Sequence, residues 1–300
     1  MDVAFRFFEH VVLTGSIRKA AEHLHVSPSS VSRQIQKLEH IYGAPLLVRQ
    51  PQGVRLTPAG EVAMRYVQRR SRELQRLRSS IDALKNLQSG HVRVFTVEGM
   101  IGGLLPRALA HFGNRYPGIT YEIYTAGTDD VMRAVAEERC DLGISFQPHP
   151  RSDVDVIANL PQELMAVISP RHPLATRKKL LLSEIGDVPV GLPDRSFGIR
   201  HLVNHMLKVE QLALNVRLET NSIDMLRQFA LYDMGLIFLP VFSFDRELAS
   251  GELIGIPVVS KALPLSAIQI CKRADVELTP SARRFSQALE EIGQSFRSIA

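Results

Sequence analysis

The feature that most constrains this chain is a change of hydrophobic period near residue 90. Before it, apolar residues recur at helical spacing; from His91 they fall into short β-like runs separated by helical ones. Between the two regimes, Glu61 to Ser89 contains neither glycine nor proline, which predicts a helix of roughly 30 residues. One core does not hold such a helix beside such an alternation, and 300 residues exceed what one core usually supports. A multidomain α+β chain is expected: a domain over 1–60, a connecting helix over 58–89 and an α/β domain over 91–300.

Charge follows the same division. Residues 1–90 hold 14 Lys and Arg against 7 Asp and Glu, and the remainder 22 against 24, within a net charge of +5. The N-terminal segment therefore carries all the positive excess, as expected of a polyanion-binding domain joined to a domain with another task. Hydrophobic residues make up 45% of the chain, which excludes a disordered protein. The start, MDVAFRFFEHVV, lacks the long apolar core and small-residue cleavage site of a signal peptide. No run approaches about 20 apolar residues. A cytoplasmic location with no membrane partner is expected, and Cys140 and Cys271, far apart and outside any CxxC pattern, are expected to be buried thiols.

Residues 20–39, AAEHLHVSPSSVSRQIQKLE, break one helix and start another. Ser16 is placed to cap IRKAAEHLH. Ser27 then caps a third helix with Pro28 at its first position, where the missing N–H costs nothing. Val31, Ile35 and Leu38 form its buried stripe. The remaining residues, Ser29, Ser30, Ser32, Arg33, Gln36 and Lys37, put small hydroxyls at the leading edge and long polar groups behind. Hydroxyls there allow close approach to a groove, the helix N-terminus offers donors to phosphate, and Arg33 can reach a base edge. This is a helix-turn-helix with a reading helix. Leu46 to Arg49 and Val54 to Thr57, around Gln50-Pro51-Gln52-Gly53, read as a hairpin wing carrying Arg49 and Arg55.

On these residues, GSIRKAAEHLHVSPSSVSRQIQKLEHIYGAPLLVR and VRLTPAGE, the chain resembles the LysR-type transcriptional regulators. The resemblance implies that Ser27 to Lys37 read the major groove of an interrupted palindrome of double-stranded DNA, with Arg49 and Arg55 in the wing. Val67, Leu74 and Ile81, with Leu77 and Leu84 between them, give the connecting helix an a/d heptad pattern that Arg70 interrupts. A parallel or antiparallel homodimer seam follows. The resemblance further implies tetramers, and RNA polymerase as a further partner.

Past His91, strand-like runs (VRVFTV, ITYEIYT, DLGIS, LMAVIS, VPVGL, NVRLE, GLIFLP, SAIQICKR) alternate with helical ones, as in mostly parallel, doubly wound sheets with ligands at the carboxyl ends of strands. The resemblance continues here, to the family's effector-binding domain, which is similar to a periplasmic binding protein. It implies one lobe over about 91–163 and 268–300 and a second over about 164–267. It also implies a small-molecule effector, with no cofactor, at Glu98, Met100, Ile101, Gly102, Thr128, Phe146, Ser196, Phe197, Gly198, Asn221 and Ser222. Thr128, Ser196 and Ser222 are equally good helix caps, which need no ligand.

The chain departs from the family at Glu98-Gly99, where relatives often carry Ser or Thr, and at Phe146, where some carry Arg. Three readings of Glu98 stay open. The effector is neutral, cationic or amine-bearing, with Phe146, Phe197 and Met100 in apolar contact; or Glu98 itself occupies an anion site and is displaced; or it faces solvent.

Catalytic signatures are lacking. His201 and His205 form HxxxH without the glutamate of HExxH; EGMIGG lacks GxGxxG spacing; no GxSxG occurs. Neither an enzyme nor a metal site is expected. The alternative to an effector-controlled regulator is an architectural DNA-binding protein whose second domain no longer senses, which a cleft filled by side chains would favour.

Overall fold

The computed structural model describes residues 3–50, 53–83, 89–263 and 266–295. The chain divides into two units, one up to Arg78 and one from Ser79.

The first unit runs α1 (Val3–Thr14), α2 (Ile17–Leu24), α3 (Pro28–Tyr42), β1 (Leu47–Gln50), β2 (Gly53–Leu56) and α4 (Pro58–Ala83), which continues into the second unit. The caps fall where the sequence places them. The Ser16 hydroxyl accepts from the Lys19 N–H, and Ser27 accepts from Ser30 with Pro28 in the first turn. His25 adopts a left-handed φ of 55° to close α2, and Gly43, at 65°, closes α3. Phe8, Val11, Ala20, Ala21, Val31, Ile35, Leu38 and Leu46 build the core.

Two contacts fix the wing against the helices. The Glu39 carboxylate, on α3, accepts from the N–H groups of Leu46 and Leu47 at 2.8 and 3.3 Å. The Val54 N–H donates to the Gly15 carbonyl at 2.9 Å. The Thr57 hydroxyl donates to the Pro45 carbonyl at 2.6 Å and accepts from the Gly60 N–H at 2.9 Å, so one side chain starts α4 and anchors it to the wing's approach.

The connecting helix departs from the heptad reading at its beginning. Val67 is only 2% exposed and belongs to the core of the first unit, so it cannot serve a seam. Leu74, Leu77 and Ile81 remain exposed, and Leu84 lies outside the described residues. Arg70 donates to the Tyr66 hydroxyl at 3.2 Å.

The second unit contains two sheets. After β3 (Gly90–Thr96) come α5 (Leu104–Arg115), β4 (Ile119–Thr125), α6 (Thr128–Ala136), β5 (Leu142–Phe146) and β6 (Val154–Pro161). The chain then builds β7 (Leu164–Ile168), β8 (Leu180–Leu181), β9 (Pro189–Pro193), α7 (Gly198–Glu210), β10 (Asn215–Thr220), α8 (Ile223–Leu231), β11 (Leu236–Pro240), α9 (Asp245–Ser250) and β12 (Ile254–Val259). It returns through β13 (Ala267–Arg273) and α10 (Pro280–Ser295). The sheet orders are β4-β3-β5-β13-β6 and β10-β9-β11-β7-β12-β8.

Each sheet is more mixed than the βα alternation suggests. Strands β4-β3-β5 and β10-β9-β11 are parallel, whereas β13 pairs antiparallel with β5 and β6, and β7 antiparallel with β11 and β12. The antiparallel strands are those through which the chain passes between lobes. At that crossing Gln162 and Ser266, both buried, bond reciprocally. The Gln162 N–H donates to the Ser266 carbonyl at 2.8 Å, and the Ser266 hydroxyl donates to the Gln162 carbonyl at 2.6 Å.

One substitution tests the junction of wing and α4. A Cβ on Gly60 would overlap the Leu46 carbonyl oxygen and crowd Leu56. Gly60→Ala is expected to destabilise the first unit by about 2 kcal/mol or more, read as a lower urea midpoint; an unchanged midpoint would show that this packing yields easily.

Candidate nucleic-acid interface and inter-lobe cleft

The surface of α3 sorts as its sequence predicts. Val31, Ile35 and Leu38 are buried, while Ser29, Arg33, Gln36 and Lys37 are exposed and Ser30 and Ser32 half-buried. The Ser27 hydroxyl lies 3.0 Å from that of Ser29 and 2.8 Å from that of Ser30, with Pro28 exposed beside them. The helix thus begins in a cluster of three hydroxyls at its positive end, followed one turn later by a guanidinium. That is a surface matched to phosphate first and base edges second. Arg55 is exposed on β2 opposite Val48. Arg49 pairs with Val54 through its backbone, and its side chain lies outside the described residues.

In the second unit, six segments converge at the carboxyl ends of parallel strands, the position at which doubly wound sheets take ligands. From the first lobe come Glu98 after β3, Thr128 after β4 and Phe146 at the end of β5; from the second come Ser196 to Gly198 after β9, Ser222 after β10 and Ser243 after β11. The two lobes meet closely. The Gly198 N–H, at the first residue of α7, donates to the buried Thr128 hydroxyl at 3.0 Å. A Cβ at Gly198 would overlap the Phe146 carbonyl oxygen, and one at Gly127 would overlap the Ser196 hydroxyl. Glycine is used at both places because a side chain would not fit: at Gly198 backbone meets backbone, and at Gly127 the backbone meets the Ser196 side chain.

Glu98 reaches furthest. Its Oε2 accepts from the Ile223 N–H at 2.8 Å, and its Oε1 accepts from the Ser222 hydroxyl at 3.0 Å and the Asp224 N–H at 3.2 Å. A carboxylate of one lobe therefore caps the N-terminus of α8 in the other, where orphan N–H groups and the helix dipole favour negative charge. Ser222 also accepts from the Met225 N–H at 3.2 Å, so it caps its own helix while donating to Glu98.

Beside these contacts, Val97, Gly99, Phe146, Phe197, Ile223 and Ser243 line a cavity of about 10 Å³, barely the room of one water. Thr128, Phe146, Phe197 and Gly198 line it as their positions in the sequence suggest. Glu98 and Ser222 meet next to it. Met100 is wholly packed in the core and Ile101 is 45% exposed. Gly102 lies beside the Arg227 guanidinium, the Ser196 hydroxyl is committed to Asp194 at 2.7 Å, and Asn221 faces solvent. Phe242, Ser243 and Ile223 are lining residues the sequence reading missed. The VFS segment follows the GLIFLP strand directly, so the rule that ligands gather at the carboxyl ends of parallel strands could have found it.

His201 and His205 lie one turn apart on α7, His205 exposed and His201 half-buried. The His201 ring stacks on His149 with centroids 4.9 Å apart, and its Nε2 lies 2.7 Å from the Arg195 carbonyl. Among the described residues no group of three or more His, Cys, Asp or Glu could hold a metal ion, and no helix is long and apolar enough to cross a membrane. Cys140 and Cys271 are buried and free; burial pushes both thiols up to about 12.

The family model for the bacterial regulatory helix-turn-helix protein, lysR family, matches residues 3–61, and that for the LysR substrate binding domain matches residues 85–294. The transcriptional activator CmpR of Synechocystis is 27% identical over 250 residues, covering 83% of this chain and 82% of its own length. A full-length OxyR from Pseudomonas aeruginosa superposes with a TM-score of 0.73 at 20% identity, covering 97% of this chain and 93% of that one. Full-length CbnR complexed with its target DNA gives 0.70 at 18% identity, covering 96% and 98%.

Two measurements follow from the site. Thr128→Val keeps shape but leaves the buried Gly198 N–H without its acceptor, and is expected to cost about 1–3 kcal/mol of stability in chemical unfolding; no loss would mean the contact is dispensable. Thiols raised this far hold almost no thiolate at neutral pH. A thiol-specific reagent should therefore titrate both cysteines only after denaturant is added, and a fast-reacting equivalent in the native chain would contradict the burial.

Proposed function

The chain belongs to the LysR family of DNA-binding transcriptional regulators, and from that premise we propose that it binds an interrupted palindrome under the control of a small molecule held between the lobes of its second domain. The observation that carries the DNA half is the exposed face of α3, whose hydroxyl cluster at Ser27, Ser29 and Ser30 leads and whose Ser32, Arg33, Gln36 and Lys37 follow. In this reading Ser27 to Ser30, with Pro28 holding the first turn, seat the helix on phosphate; Arg33 and Gln36 face base edges; Lys37, Arg49 and Arg55 grip the flanking backbone. That CbnR was solved with target DNA supports it.

The sensing half rests on the convergence at the cleft of two helix N-termini, those of α7 and α8, with Glu98, Thr128, Phe146, Phe197, Gly198 and Ser222 around them. Met100, Ile101, Gly102, Ser196 and Asn221 would act from behind or at the rim. The domains of the proposal are those of the sequence: a reading domain over 1–60, a connecting helix over 58–89 whose exposed Leu74, Leu77 and Ile81 join two copies, and a two-lobed sensor over 91–300. A dimer places two reading helices on two half-sites, and a tetramer and contact with RNA polymerase in the cytoplasm complete the reading.

A second reading has a specific observation behind it. The cleft is nearly filled, at about 10 Å³, as a domain that no longer senses would be. Footprinting the full chain on its own upstream DNA at fixed salt, with and without a panel of metabolites, separates the two. A footprint that shortens with one compound is expected for a sensor; specific binding that no compound alters favours the architectural protein. In the same assay Arg33→Ala should cost about 1–3 kcal/mol and relax the preference at one base position, whereas equal loss on all sequences would move Arg33 from base reading to phosphate binding.

A further inference from the structure

Glu98 is not merely near the cleft; it is bound in it. Both carboxylate oxygens are taken, by the Ile223 N–H on one side and by the Ser222 hydroxyl and Asp224 N–H on the other. Two backbone N–H groups and a hydroxyl at a helix start are the donor set that a free carboxylate or phosphate would seek. The side chain supplying the anion is tethered to the opposite lobe, so the same contacts that satisfy α8 also hold the lobes together.

A second observation marks the place as a ligand site rather than a simple cap. The Ser243 hydroxyl, on the residue 1% exposed, has no hydrogen-bond partner, and it lines the small cavity next to Gly99 and Ile223. A Cβ on Gly99 would overlap that hydroxyl, so the residue beside Glu98 is kept small against an unanswered polar group. Buried hydroxyls without partners are uncommon and costly. One that lines the same cavity as the start of α8 is a waiting donor for an oxygen that Glu98, held by three other donors, does not supply.

We propose that Glu98 is a built-in occupant of an anion site at the start of α8, which latches the lobes closed without ligand, and that a small acidic molecule binds by displacing it. The inference rests on the reading of this domain as an effector sensor and adds its ligand class, a carboxylate or phosphate, and its mode, competition with the chain itself. A cationic ligand pairing with Glu98 is disfavoured by the same geometry, because three donors already hold the carboxylate at the start of α8 and the cavity beside it has no room for an ammonium. Displacement would free Glu98 from α8 while the Thr128–Gly198 contact at α7 remains, so the lobes would reopen on one side only. Ligand affinity is lowered by whatever the latch contributes, since the competent state is the minor one.

The test uses the full chain and two variants, with specific DNA binding as the control for folding. Without ligand, hydrogen exchange at the Ile223 and Asp224 amides is expected to quicken by about tenfold or more in Glu98→Ala; unchanged exchange overturns the latch. Calorimetric titrations then use acetate, succinate, inorganic phosphate and glycerol phosphate, with acetamide and ethylamine as neutral and cationic counterparts. Glu98→Gln, which keeps the shape and loses the charge, should bind at least one of the acidic probes about tenfold tighter than the wild type does, and the carboxylate and phosphate arms tell which group the site takes. Equal affinity in the two chains, or a preference for ethylamine, overturns displacement and leaves sensing standing. If no compound in any class binds either chain, displacement falls together with the sensing reading.

Discussion

A carboxylate crossing a cleft to the end of a helix is the contact on which the second domain's arrangement turns. Helix α8 begins with N–H groups that nothing within its own lobe satisfies beyond the Ser222 cap. Left in a dry cleft they would be costly, and left in water they would need the cleft open. Glu98 resolves this by supplying a full charge from the neighbouring lobe. Helix α7 is treated more gently, its first N–H meeting only the Thr128 hydroxyl. The two helix starts are therefore satisfied by groups of very different strength, and the stronger is the one that the family pattern does not lead one to expect.

Such closeness is possible because the residues that meet have no side chains to spare. Gly99, Gly127 and Gly198 stand where a Cβ would strike Ser243, Ser196 and the Phe146 backbone. The hinge is equally economical. Gln162 and Ser266 tie the two crossing segments to each other with reciprocal hydrogen bonds. Arg107 on α5 and Asp245 on α9 form an ion pair at 2.6 Å between the lobes, while burial raises the Asp245 carboxyl against the pull of that arginine. The lobes are thus joined by paired strands at the crossing and by side-chain contacts at the cleft, an arrangement in which a change between lobes would fall on a few residues.

How much of this was legible in the sequence depended on whether local chemistry or long-range packing decided the outcome. Ser16, Ser27, Pro28 and Thr57 act through their own neighbours, and the helices they start could be placed from spacing alone. Strands β6 and β12 could not. β6 is exposed along part of its length, and β12 contains Pro257; each is held by pairing with β13 or β7. Val67 matched a heptad yet lies in the core of the first unit, because the first turns of α4 are claimed by the helices of the reading domain before any seam begins. Glu98 was visible as an exception to a pattern, and three fates were open to it. Only the fold brings residue 98 to residues 222–224, and no periodicity carries information across that separation.

The division of charge along the chain now has a physical meaning. Helix α3 keeps its long polar groups at the surface: Arg33, Gln36 and Lys37 are exposed. In the second unit the opposite holds, and the groups best suited to an anion, at the starts of α7 and α8, are engaged by the chain's own oxygens. A surface that meets DNA can stay open, because release of the polyanion's counterions drives the association. On the proposed reading, a cleft that takes a small molecule gains selectivity by being occupied, because a weak anion cannot displace a tethered carboxylate and only a ligand with further contacts can. Any signal passed between the units must then come from the difference in ligand affinity between the latched and unlatched lobes, and the strength of the Glu98 contact sets how large that difference has to be.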